Sequence, residues 1–237
     1  MLQLSELDSS FLYLETDTTP LHVGGVFIFK RPSKGNHLNF DRFKIIIESI
    51  LGNEPFFRDR LVESPLNLEL PVWAADPNFN VNNHIRHIRL TNDASSLLEL
   101  ASINFSKPLD RSKPLWQADF IEGLENDPQY TFSKEHFALL LKVHITAIDG
   151  ISGEDILSQL LHVSPEEREI ENDQNIWNPA PLPDAGSWIG TAYNNALNIP
   201  SKLTEIAKDT AASAFYSVLY EKLEKLNLPA SLMKVAS

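Results

Sequence analysis

The stretch 137–153, FALLLKVHITAIDGISG, places groups capable of proton chemistry where the backbone pattern changes. An apolar run ends at His144, a short polar loop carries Asp149-Gly150, and helix-like spacing begins after it. Histidine titrates close to neutrality, so it can accept or return a proton at working pH. At a strand-to-helix switch, exposed side chains and the first helical amides converge on one pocket. The same residues also read as an ordinary Asp-Gly turn capping a helix that starts at Ser152-Gly153-Glu154. On this stretch alone both readings stand.

Other sources of chemistry are scarce. Cysteine is absent, which removes thiol nucleophiles, disulfides and Cys-based metal sites. No GxGxxG, GxxxxGK[ST], HExxH or GxSxG signature occurs. His84 and His87, three apart on a predicted strand, face opposite sides and cannot share one metal ion, so they read as packing or surface residues. Asn104-Phe105-Ser106 matches a glycosylation sequon, but without a secretion signal it is discarded.

The elements that must position these groups follow from spacing. Segments 24–30, 84–90, 116–122 and 137–144 are short and rich in branched or aromatic residues, and are predicted as strands. Segments 40–51, 95–105 and 151–162 repeat apolar residues at helical spacing. The predicted fold is mixed α/β over 1–163. An acidic and then Pro-rich connection is expected over 164–200, and a C-terminal segment over 201–237 carries a long amphipathic helix at 201–226.

Composition narrows the function. The 237 residues carry 20 Lys plus Arg against 32 Asp plus Glu, a net charge of −12, which disfavours nucleic acid. The N-terminus has no basic region before an apolar one, and no window approaches the roughly 18 apolar residues of a spanning helix. The expected address is the cytoplasm, with any lipid contact peripheral, at the inner membrane or at lipid inclusions.

KVHITAIDG resembles the HHxxxDG motif of acyltransferases related to chloramphenicol acetyltransferase and peptide-synthetase condensation domains. Further segments resemble the bacterial wax ester synthase/diacylglycerol acyltransferase family within that group. These are LSELDSSFLYLETDTTPLHVGG, FRDRL, PVWAADPNFNVNNHIRHIRL and PLDRSKPLWQADFIEGL, in that order. The resemblance covers residues 2 to 165 and, more loosely, WNPAPLPD and the helix after it.

It implies a mixed-sheet, two-layer chloramphenicol acetyltransferase-like half-domain and an acyl-CoA:alcohol O-acyltransferase. Such enzymes make wax esters or triacylglycerol, with acyl-CoA as co-substrate, a long-chain alcohol or diacylglycerol as acceptor, and no bound cofactor. The family's general base is the second His of its motif, and aligned on Asp149-Gly150 that position is Ile145. His144 matches the first His, Asp149 an orienting ion-pair partner, and Gly150 a substrate-clearance position. Isoleucine accepts no proton, so about 10²–10⁴ in rate should be missing. Family members join two similar halves, of which this chain matches the first, so a C-terminal half or a homologous enzyme is an expected partner. The competing reading is a non-catalytic lipid-binding or assembly module derived from the family. A condensation domain acting on carrier proteins fits the N-terminal and PLW segments less well. Arg111 is open to Asp149 or Asp110 as partner, Arg58 and Arg60 to solvent or a CoA phosphate, and Trp116 reads as a core anchor.

Overall fold

The computed structural model describes residues 2–31, 38–51, 57–64, 69–91, 96–148, 179–184 and 187–188. Asp149, Gly150, the predicted helices at 151–162 and 201–226 and most of the 164–200 connection lie outside the described residues. The elements are β1 (Leu2–Gln3), α1 (Glu6–Leu14), β2 (His22–Lys30), α2 (Phe40–Leu51), β3 (Asp59–Val62) and β4 (Val72–Ala75). They continue with β5 (Ile85–Arg89), α3 (Leu97–Phe105), β6 (Trp116–Glu122), β7 (His136–His144) and α4 (Ile145–Ile148).

The main sheet has the order β2-β7-β6-β5, with β5 and β6 parallel and the other pairs antiparallel. Helix α3 lies on the chain between β5 and β6, as a parallel pair requires a crossover connection. A smaller antiparallel sheet has the order β1-β4-β3. Its three strands and α1 were not predicted as elements. The strands are too short to show a period, but α1 carries a readable start: Ser5 Oγ accepts the Asp8 N–H at 3.0 Å and donates to Asp8 Oδ2 at 2.6 Å.

The predicted two-layer arrangement is corrected in the described part, because both faces of the main sheet are covered. On one face Trp116, Ala118 and Phe120 of β6 and Leu139 and Leu141 of β7 join Phe43 and Ile47 of α2 and Trp73 of the small sheet. On the other, Ile121, Ala138 and Leu140 meet Leu97 and Ala101 of α3. The reason is legible in β7, whose Phe137–Lys142 run is buried throughout, without the polar alternation of a one-sided strand.

Edge strand β2 approaches β7 and α3 closely at Gly24, where an added Cβ would overlap the Leu141 carbonyl oxygen and the Phe105 ring. Gly24→Ala is expected to cost about 1–3 kcal/mol, read as a lower urea midpoint. Gly25→Ala, which meets only the movable Phe27 ring, should cost clearly less. Equal losses would contradict this account of the β2–β7 spacing.

Candidate active site

The chain passes from β7 into α4 without a gap: the strand ends at His144 and the helical turn starts at Ile145. This corrects the expectation of an exposed polar loop directly after His144. Relative exposures are 0% for His144, 2% for Ile145, 1% for Thr146 and 4% for Ile148. Ile145 and Ile148 form an apolar cluster with Phe11 of α1, flanked by Leu21, Val23 and Val143, and this burial closes the corner.

His144 and Ile145 go to different surroundings. The His144 ring enters a polar clamp, where Nδ1 lies 2.8 Å from Thr146 Oγ1 and accepts the Thr146 backbone N–H at 3.2 Å. A nitrogen that accepts a backbone N–H carries no proton, so the neutral ring holds its proton on Nε2. That nitrogen lies 3.5 Å from Glu15 Oε2, a charge–dipole contact longer than a strong hydrogen bond.

Glu15 caps the C-terminus of α1 and organises the clamp. Its Oε1 accepts the Leu21 N–H at 3.0 Å. Its Oε2 accepts Arg111 Nε at 3.0 Å and Nη2 at 2.8 Å. Arg111 Nη2 also donates to the Leu12 carbonyl. Burial alone would raise the Glu15 pKa, but His144, the Leu21 N–H and Arg111 outweigh it and hold the carboxyl at about 2. Asp110 is thereby excluded as Arg111's partner: it accepts Ser112 N–H at 2.9 Å, Ser112 Oγ at 2.6 Å and Lys113 Nζ at 2.5 Å within its own turn. Glu15 and Arg111 stand in two of the segments that carry the family resemblance, but their pairing across 96 positions leaves no local signal.

Directly across the strand pair from His144 stands His22. Its Nε2–H donates to the Phe105 carbonyl at 2.9 Å. Burial, then the nearby Lys142 charge, lowers its pKa to about 4, which makes it a weak base for an alcohol. Lys142, itself lowered to about 8 chiefly by burial, donates to the Asn104 and Lys107 carbonyls at 3.0 and 2.9 Å and closes the end of α3. Asn104 is 5% exposed, with its side chain donating to Asp119, so the sequon falls on a buried residue.

The remaining residues singled out in the sequence have the following surroundings. Trp116 is 4% exposed, donates Nε1–H to the Phe57 carbonyl at 2.9 Å and packs edge-on against the Phe57 ring. His84 precedes β5 rather than opening it, so strand alternation does not govern it, which corrects the argument by opposite faces. The His84 and His87 rings go to different partners. His84 Nδ1 meets the Trp116 carbonyl at 3.0 Å and its ring stacks on Trp116, whereas His87 meets Glu122 at 2.7 Å and stacks on Phe40. Arg60 donates to the Ser112 carbonyl at 3.1 Å and lies 3.9 Å from Asp76. Arg58 lines an open cavity of about 460 Å³ with Glu48 and the 78–82 loop. Among the described residues no group of three or more His, Asp or Glu side chains is arranged to hold a metal ion, and no helix is long and apolar enough to cross a membrane.

Comparison with known proteins places these features. The profile of the wax ester synthase/diacylglycerol acyltransferase catalytic domain matches residues 4–231. A Mycobacterium tuberculosis protein named as a diacylglycerol O-acyltransferase is 32% identical over 198 residues, 83% of this chain and 36% of that protein. Another from the same species, named diacylglycerol O-acyltransferase tgs3, is 36% identical over 151 residues, 63% of this chain and 55% of that one. The chain thus spans between about a third and just over half of these relatives. Among solved structures, the wax ester synthase/diacylglycerol acyltransferase of Marinobacter aquaeolei VT8 aligns at 30% identity over 63% of this chain and 34% of its own, with a TM-score of 0.49.

Proposed function

The chain belongs to the wax ester synthase/diacylglycerol acyltransferase family, and on that premise we propose that it carries the N-terminal part of an acyl-CoA-dependent O-acyltransferase. In the proposed reaction the hydroxyl oxygen of a long-chain alcohol or diacylglycerol attacks the thioester carbon, the C–S bond breaks, and CoA leaves as the thiol. The acceptor's proton must pass to a base, because an alcohol is a poor nucleophile while protonated.

The observation that carries this reading is the β7–α4 corner, where the family's motif aligns with His144 and Ile145 ahead of Asp149-Gly150. Position 145 is read as the base position. Its occupant here is an isoleucine packed against Phe11 and Ile148, so the chain as it stands is a poor catalyst. His144 does not stand in for the base in this proposal, because its Nδ1 is engaged by Thr146 and its Nε2 is buried 3.5 Å from Glu15. Asp149 and Gly150 keep the orienting and clearance roles in this proposal. The Phe11–Ile145–Ile148 cluster also supports the second reading, a lipid-binding or assembly module derived from the enzyme.

The test measures CoA release from palmitoyl-CoA with hexadecanol or a diacylglycerol. Wild type and Ile145→His are each assayed alone and with the C-terminal part of a full-length family member. The expected result is a silent wild type and a substituted chain faster by about 100-fold or more in the presence of that part. Replacing the apolar side chain by imidazole should cost about 1–3 kcal/mol, so urea unfolding confirms that the variant is folded. Wild-type turnover equal to that of the variant would refute the assignment of position 145. Silence of both, with acyl-CoA bound by both, would support the binding module.

A further inference from the structure

One carboxylate is connected to both residues at the head of the motif. Glu15 Oε2 lies 3.5 Å from His144 Nε2, whose proton is assigned by the Thr146 N–H on the opposite nitrogen. Glu15 Oε1 accepts the Leu21 N–H at 3.0 Å, and the carbonyl of that same Leu21 accepts the Ile145 N–H at 3.0 Å. The carboxylate side chain is 4% exposed and is fixed from behind by the Arg111 fork. We infer that Glu15 is a positioning residue: it sets the ring of His144 directly and the backbone of position 145 through the main chain of Leu21, whose N–H and carbonyl lie in successive peptide units.

This deepens the proposed function and rests on position 145 being the base position. A change in the φ and ψ of Leu21 would release the Ile145 N–H and let the corner turn, moving whatever side chain stands at 145. Small displacements of a reacting group carry large rate penalties, so a fixed corner has a functional use besides its stability. Arg111 supports the carboxylate and touches neither motif residue by hydrogen bond; its role is to hold Glu15.

The distinction is testable in the full chain with Glu15→Gln and Arg111→Met. Glutamine has one acceptor end and one donor end, so it cannot accept from Leu21 and Arg111 and still present an acceptor to His144. In Glu15→Gln the Ile145 amide should exchange about tenfold faster relative to Phe120, and the His144 Nε2–H signal should shift in ¹⁵N–¹H spectra while the Thr146 N–H keeps Nδ1 the acceptor. Arg111→Met keeps the carboxylate but removes its support, and should lower global stability while moving the His144 signal and the relative Ile145 exchange less than Glu15→Gln does. The inference is overturned if Glu15→Gln moves neither signal, or if Arg111→Met moves both equally.

In the Ile145→His chain, Glu15→Gln should also lower kcat about tenfold with KM nearly unchanged, and an unchanged kcat would count against positioning. Exchange and the His144 ring signal need no activity, so failure of the transferase reading leaves that arm standing. Unchanged exchange in a chain that does turn over removes the positioning role alone.

Discussion

Asp119→Asn is expected to cost about 1–3 kcal/mol at pH 7, because it removes a buried carboxylate and sets a donor against one of its two pairs of donors, although Arg86 itself is half-exposed. Asp119 is 0% exposed at the middle of β6. Its Oδ1 accepts Arg86 Nε at 2.7 Å and Gln117 Nε2 at 2.9 Å. Its Oδ2 accepts Arg86 Nη2 at 2.5 Å and Asn104 Nδ2 at 2.6 Å. An amide in that place must turn a donor toward one of these pairs of donors. The loss extends further, since Asp119 is the charge that favours protonated Lys142 against burial and the Arg86 guanidinium. Without it, burial, Arg86 and Lys107 oppose the ammonium that closes α3, which keeps only its two carbonyl acceptors. Urea unfolding of wild type and variant measures the difference, with Asp110→Asn as the control. Asp110 lies in a solvated turn with its side chain 53% exposed, and its loss should cost no more than about 1 kcal/mol. A cost for Asp119→Asn as small as that of the control would mean that the network is solvated, not buried.

How legible such features are in sequence depends on the range of the interaction that makes them. Strand β6 falls at 116–122 as predicted, and α2 at 40–51, because apolar runs and helical spacing are local properties. Helix α1 was also legible in its Ser5-x-x-Asp8 cap but carries no strong period, and its acidic start draws attention away from it. The corner at 145–148 was misread because its four residues are decided by Phe11, which arrives from the other end of the chain. The Glu15–Arg111 pair belongs to the same class: either residue alone is an ordinary surface charge, and only the closed fold makes them a clamp. What the family motif contributed was the position proposed for the chemistry; what it lacked was the hydrogen-bonded support beneath it.

The pH dependence of stability takes large contributions from three buried or part-buried groups, His22, Glu15 and Lys142, whose shifts run downward. His22 titrates at about 4 in the folded chain against an ordinary 6.5, so between these values the unfolded chain binds a proton that the folded chain refuses. Its contribution is complete above pH 6.5 and is lost as pH falls through 4. Glu15, at about 2 against 4.5, obeys the same sign one step lower: its contribution is complete above 4.5 and lost toward pH 2. At about 1.4 kcal/mol per pKa unit, each removes a few kcal/mol. Lys142, at about 8 against 10.5, makes stability rise with pH between those values, because only the unfolded chain keeps its proton there. Urea midpoints measured from pH 3 to 10 should therefore fall in two acid steps and climb on the alkaline side. His22→Gln, whose side-chain amide can still donate to the Phe105 carbonyl, should shrink the acid step below 6.5 to the part that buried His84 supplies, and leave the lower one. An upper step undiminished in that variant would mean that His22 does not supply it and that its placement between Phe105 and Lys142 is wrong.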